Sequence, residues 1–166
     1  YSSLNGGTTV GAATKYMKSS NVHGAIAYAK ANKFGSDVYI LHHPNAVAYL
    51  SKEAATVAAA ATNAIPDGYS ADLLKNFWSG LRPMNNVPIF EDGNLAVDSS
   101  DDATGVIASK GAMAVLNSVE TKKEEQRDAS LRATEIVLTS DYGVFELDDS
   151  KGAGFILDAA ALSTSA

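Results

Sequence analysis

The order of elements in the last third of the chain limits the fold more than any single motif does. Thr104-Gly-Val-Ile-Ala-Ser-Lys-Gly-Ala-Met-Ala-Val-Leu-Asn117 reads as a short buried strand over Thr104 to Ala108, then a helix of small residues from Ser109 through Asn117. Thr121 to Asp128 is densely charged. Leu131 to Thr139 then reads as a long strand, Asp141-Tyr-Gly143 as a turn, and Val144 to Leu147 as a further strand. Lys151-Gly-Ala-Gly154 turns the chain into a last short strand at Phe155-Ile-Leu157. No candidate nucleophile or metal cluster interrupts this order, which points to a structural protein rather than an enzyme.

Upstream, Ser20 or Asn21 is placed to cap a helix running to about Asn32, with Val22, Ile26 and Ala29 at helical spacing and Gly35 as its stop. Asp37 to His42 has the β-branched and aromatic content of a strand. Pro44 suits the first turn of a second helix, in which Val47, Leu50 and Ala54 share a face. That helix is alanine-rich through Ala61, and Pro66-Asp-Gly68 turns the loop after it. Ser70 to Gly80 reads as a short helix carrying Phe77 and Trp78. Val87 to Glu91 reads as a strand, and Pro88 places it at a sheet edge.

With 166 residues, 46% hydrophobic and 19% charged, the chain can bury the core of one domain. Its formal net charge of −6 opposes broad phosphate binding. The absence of cysteine excludes disulfides, thiolate metal sites and a cysteine nucleophile. The longest apolar tract, Ala54 to Ala61, is far short of the roughly 20 residues that span a bilayer. The chain begins at Tyr1 rather than Met, which fits a processed product or a piece of a longer polypeptide.

Candidate sites are few. His42 and His43 are adjacent, so on a strand they point to opposite faces, and they read as a strand-end pair capping the helix at Pro44 rather than as metal ligands. Asp98 to Asp102 lacks the spacing of a calcium loop and reads as a solvated acidic loop. No Gly-x-Ser-x-Gly elbow is present. Lys122, Lys123, Glu124, Glu125 and Arg127 form a mixed charge run, read either as a solvated hairpin surface or as an intersubunit ion-pair patch. Trp78, with Arg82 beside it, reads either as core or as an exposed interface anchor. No catalytic, cofactor-binding or metal residues are assigned.

Taken in order, the helix, the strand Val38-Tyr-Ile-Leu41 and the Pro-started helix His43-Pro-Asn-Ala-Val-Ala-Tyr-Leu50 resemble the C-terminal portion of a tailed-phage major capsid protein of the Hong Kong 97-type fold. Val87 to Leu95, Gly105 to Leu116 and Glu135 to Leu147 continue the resemblance. It implies a mixed α/β (α+β) fold, with helices packed on a mainly antiparallel sheet, matching that family's axial domain plus strands of its peripheral domain. Residues 1–19 would be a linker or arm, 20–158 a capsid-like domain and 159–166 a flexible tail.

The resemblance further implies an icosahedral virion shell built from copies of the chain in hexamers and pentamers and assembled in the host cytoplasm. The shell would enclose double-stranded DNA without tight sequence-specific binding, with scaffolding or decoration proteins as further partners. It implies no cofactor and no membrane. An encapsulin-type compartment shell and a small-molecule-binding α/β domain remain the alternatives.

Overall fold

The computed structural model describes residues 4–60 and 87–162, and the side chains of all of these except 54–60. The described residues divide into two compact units. One runs up to Ala112 and resumes at Asp148; the other is Met113–Leu147. Among the described residues, seven strands and two α-helices are formed, with a 3₁₀ turn before the first strand and another before the last. Three of the five strand pairings are antiparallel, so the fold is mixed α+β with a mainly antiparallel sheet content.

The first unit is a five-stranded sheet in the order β1-β7-β4-β2-β3. Its strands are β1 (Thr9–Tyr16), β2 (Val38–His42), β3 (Ile89–Glu91), β4 (Asp102–Ser109) and β7 (Gly152–Asp158). β4 and β7 lie inside the sheet and are buried almost throughout. β3, the strand after Pro88, lies at an edge, where a residue without an amide proton is tolerated. Helices α1 (Ser19–Ala31) and α2 (Pro44–Ala60) supply Val22, Ile26, Ala29, Val47 and Leu50 to the core. The sheet supplies Ile40, Ile107, Phe155 and Leu157 to the same core.

Both helices are set by local chemistry. α1 ends in a Schellman motif: the amide of Phe34 donates to Ala29 and that of Lys33 to Lys30. Lys33 takes the left-handed conformation at φ 57°, so the stop lies two residues before the expected Gly35, and Phe34 folds back into the core. At its start the cap position is Lys18, rather than the expected Ser20 or Asn21, and Ser19 is the first helical residue. The Ser19 amide donates to Glu53 Oε2 of α2 at 2.6 Å, which satisfies one orphan donor with a carboxylate at the positive end of the helix dipole. α2 begins at Pro44 as expected, and His43 caps it by accepting the Asn45 amide at Nδ1, 3.2 Å away.

Four expectations are corrected in this unit. Residues 1–19 are not only a linker, because β1 joins the sheet parallel to β7. Its register breaks between Gly11 and Tyr16, and the amide of Thr14 in that break donates to Asp102 Oδ1 at 2.6 Å. The acidic loop is therefore not wholly solvated: Asp102 is buried, and Asp98 Oδ1 accepts the amides of Ser100 and Asp102. The expected flexible tail begins with Ala159, which is buried, donates its amide to Asp101 and accepts from Asn45 Nδ2. The expected turn at 151–154 closes earlier, since β7 already starts at Gly152.

Candidate assembly surface

The second unit is a hairpin of β5 (Met113–Asp128) and β6 (Ala133–Glu146), paired antiparallel from Met113↔Glu146 to Asp128↔Ala133. Two expectations fail here. The small-residue helix from Ser109 to Asn117 is absent, since Met113 onward is strand. The turn at Tyr142-Gly143 is also absent, because Gly143 sits inside β6 opposite Leu116, without a positive φ. A Cβ at Gly143 would meet the Phe145 ring at 2.8 Å, so the glycine makes room for an aromatic two residues on, on the same face. The true turn is Ala129–Arg132. Asp128 Oδ1 accepts from the Ser130 amide, the Ser130 hydroxyl and the Leu131 amide, and Arg132 closes the loop at φ 49°. The Ser130 hydrogen bonds hold the Asp128 carboxyl below its usual range.

The charge run lies on this hairpin. Lys122, Lys123, Glu124, Glu125 and Arg127 are brought together along β5, on alternating faces. Lys122 pairs with Glu124 at 2.7 Å on one face, and Lys123 pairs with Glu125 on the other. Arg127 has no ion-pair partner among the described residues. Trp78 and Arg82, the other expected contact residues, lie outside the described residues.

Sequence reasoning overlooked the apolar content of the same surface. Among the described residues, eleven of the fourteen exposed large hydrophobic side chains lie between Val115 and Leu147. They include Val115, Leu116, Ile136, Val137, Leu138, Val144 and Phe145. A soluble surface rarely gathers so many without a use for them. A two-stranded sheet with both faces exposed is also marginal by itself in water. The available signal was the alternation-free run Ile136-Val-Leu138, which on a strand must present aliphatic side chains to both faces.

Among the described residues no group of three potential metal ligands converges. His42 is fully buried: Nε2 donates to the Phe155 carbonyl at 3.1 Å, and Nδ1 accepts the His43 amide at 2.9 Å. Burial lowers its pKa to about 4, so the ring is neutral.

No known protein family and no curated protein matches the sequence. Solved structures do match. A chain from Mycobacterium phage Che8 superposes with a TM-score of 0.61 at 16% identity, over 89% of this chain and 52% of that one. The capsid structure of the cyanophage P-SCSP1u gives 0.56 at 12% identity, over 95% and 55%. This chain shares the fold of the matched part of both structures. The holo-SrpI encapsulin complex from Synechococcus elongatus PCC 7942 gives 0.54 at 12% identity, over 98% and 58%. This chain thus spans about half the length of the solved structures it matches. The agreement fits a Hong Kong 97-type capsid fold, as the order of sequence elements implies.

Proposed function

We propose that this chain is a structural subunit of a protein shell, and that the shell is the virion capsid of a tailed phage enclosing double-stranded DNA. The observation that carries this reading is the fold agreement with the phage structures over about nine-tenths of the chain or more. The exposed apolar hairpin supports it, because a subunit that is finished only in an assembly keeps such surface for its neighbours. The mechanism is geometric rather than catalytic. Contacts between unlike patches close into rings when the rotation closes, and many modest contacts sum through multivalency. The net charge of −6 suits a wall that does not grip DNA tightly.

The encapsulin match, over 98% of this chain, favours a second reading: a compartment shell that encloses protein cargo. Nuclease-treated particles, purified by sedimentation and extracted, separate the two. Protected double-stranded DNA is expected for the virion reading. Particles holding protein cargo and no nucleic acid would establish the compartment reading instead.

A further inference from the structure

The two edges of the β5-β6 hairpin differ in chemistry, and neither has a strand partner among the described residues. β5 reads Glu-Thr-Lys-Lys-Glu-Glu-Gln-Arg-Asp over Glu120 to Asp128, and charged side chains of this kind deter strand addition. β6 reads Ala-Thr-Glu-Ile-Val-Leu-Thr-Ser over Ala133 to Ser140, with a single charge. Ile136, Val137 and Leu138 are 55%, 45% and 66% exposed, although β-branched and aliphatic residues here would normally be covered. An open strand edge is matched by another strand, which supplies the missing main-chain hydrogen bonds.

We propose that the β6 edge pairs antiparallel with β6 of a second copy of this chain, across a two-fold axis at Val137. The sheet geometry restricts the register. A two-fold axis normal to a sheet keeps each face in place, so the axis must pass where one residue faces its own copy. Centring on Val137 sets Ile136 against the partner's Leu138, Glu135 against the partner's Thr139 and Arg132 against the partner's Tyr142. Centring on Leu138 sets Glu135 against the partner's Asp141, a like-charge pair. Centring on Ile136 sets Glu135 against the partner's Val137. The Val137 register is the one of these three in which Ile136, Val137 and Leu138 all face aliphatic partners, and it opposes no like charges. The four-stranded sheet β5-β6-β6-β5 that results carries the charged β5 edges outside, so it closes instead of growing.

This pairing deepens the shell reading, on which it rests for the choice of a second copy as partner. Its test is self-association of the 166-residue chain. Sedimentation equilibrium is expected to give a dimer. Val137→Lys, which places two ammonium groups at the axis of the pairing, should weaken it by at least about tenfold with an unchanged circular dichroism spectrum. The chain lacks cysteine, so single-cysteine variants report position directly. Val137→Cys should form a disulfide-linked dimer on mild oxidation. Glu124→Cys, whose residue faces Val137 from β5, should not. Ile136→Cys mixed with Leu138→Cys should cross-link to each other in preference to themselves. A monomer at every soluble concentration, a dimer indifferent to Val137→Lys, or faster cross-linking at position 124 would each overturn the pairing. If shells still form in those cases, the edge pairing alone falls; if no assembly of any kind forms, the shell reading falls with it.

Discussion

His42 reaches across one strand of the sheet to Phe155. Its Nε2 donates to the Phe155 carbonyl at 3.1 Å, although β2 and β7 are separated by β4. The crossing is possible because β4 carries Gly105 beneath the imidazole. A Cβ at Gly105 would meet His42 Cδ2 at 2.6 Å and press on the Leu41 carbonyl. The other ring nitrogen accepts the His43 amide, so the ring must be the neutral Nε2–H tautomer. One side chain thus joins three strands to the cap of α2.

The stability of the fold should therefore depend on pH through His42. Its pKa of about 4 in the folded chain lies below the ordinary 6.5, so the unfolded chain binds the proton more readily. The contribution is full above pH 6.5, declines as pH falls from 6.5 to about 4, and is gone below that. At about 1.4 kcal/mol per unit, the loss is on the order of 3 kcal/mol. Urea midpoints at pH 7 and pH 4.5, for the chain and for His42→Asn, check this. The difference between the two proteins should shrink at the lower pH, and a constant difference would contradict it.

Gly105→Ala should destabilise the chain by about 1–3 kcal/mol, the usual cost of overpacking a close-packed site. The clash is with a ring held at both nitrogens, so relief by rotation is costly. Thermal unfolding measures this directly. An unchanged midpoint would mean that the imidazole does not lie over β4.

Gly143→Ala has a similar clash on paper and a different expected outcome. The obstructing atoms belong to the ring of Phe145, an exposed residue whose side chain can swing into solvent. The change should stay within about 0.5 kcal/mol, as for ordinary surface substitutions. A loss of several times that would mark Gly143 as a constrained position after all.

Reversing both members of the Lys123–Glu125 pair should also leave stability within about 1 kcal/mol, since both side chains are more than half exposed. Chemical unfolding of the single and double variants measures the coupling. A large coupling energy would show that the charge run works within the subunit rather than as a solvated edge.

The sequence made some elements legible for physical reasons. Pro44, the helical spacing of Val22, Ile26 and Ala29, and the β-branched strand before His42 each encode their own local geometry, and α1, β2 and α2 form where they were expected. β1 was hidden because Thr9, Gly11, Ala12 and Ala13 carry no apolar alternation, and its place comes from pairing with β7. β5 was hidden because Ala-Met-Ala-Val-Leu and a Lys/Glu run favour helix locally, while the long ladder with β6 overrides that preference. Gly143 imitates a turn because glycine serves both turns and aromatic neighbours. The charge run was visible as a candidate surface. Its apolar counterpart on β6 emerged only when exposure was known.

The most direct test of the shell reading is electron microscopy of the polypeptide that carries this sequence, purified under conditions that favour assembly. The account predicts rings or closed shells of repeated copies, with density for the five-stranded sheet and the β5-β6 hairpin in every subunit and the hairpin in contact with a neighbour. Dispersed single subunits under every such condition, or assemblies in which the hairpin touches no neighbour, would contradict it.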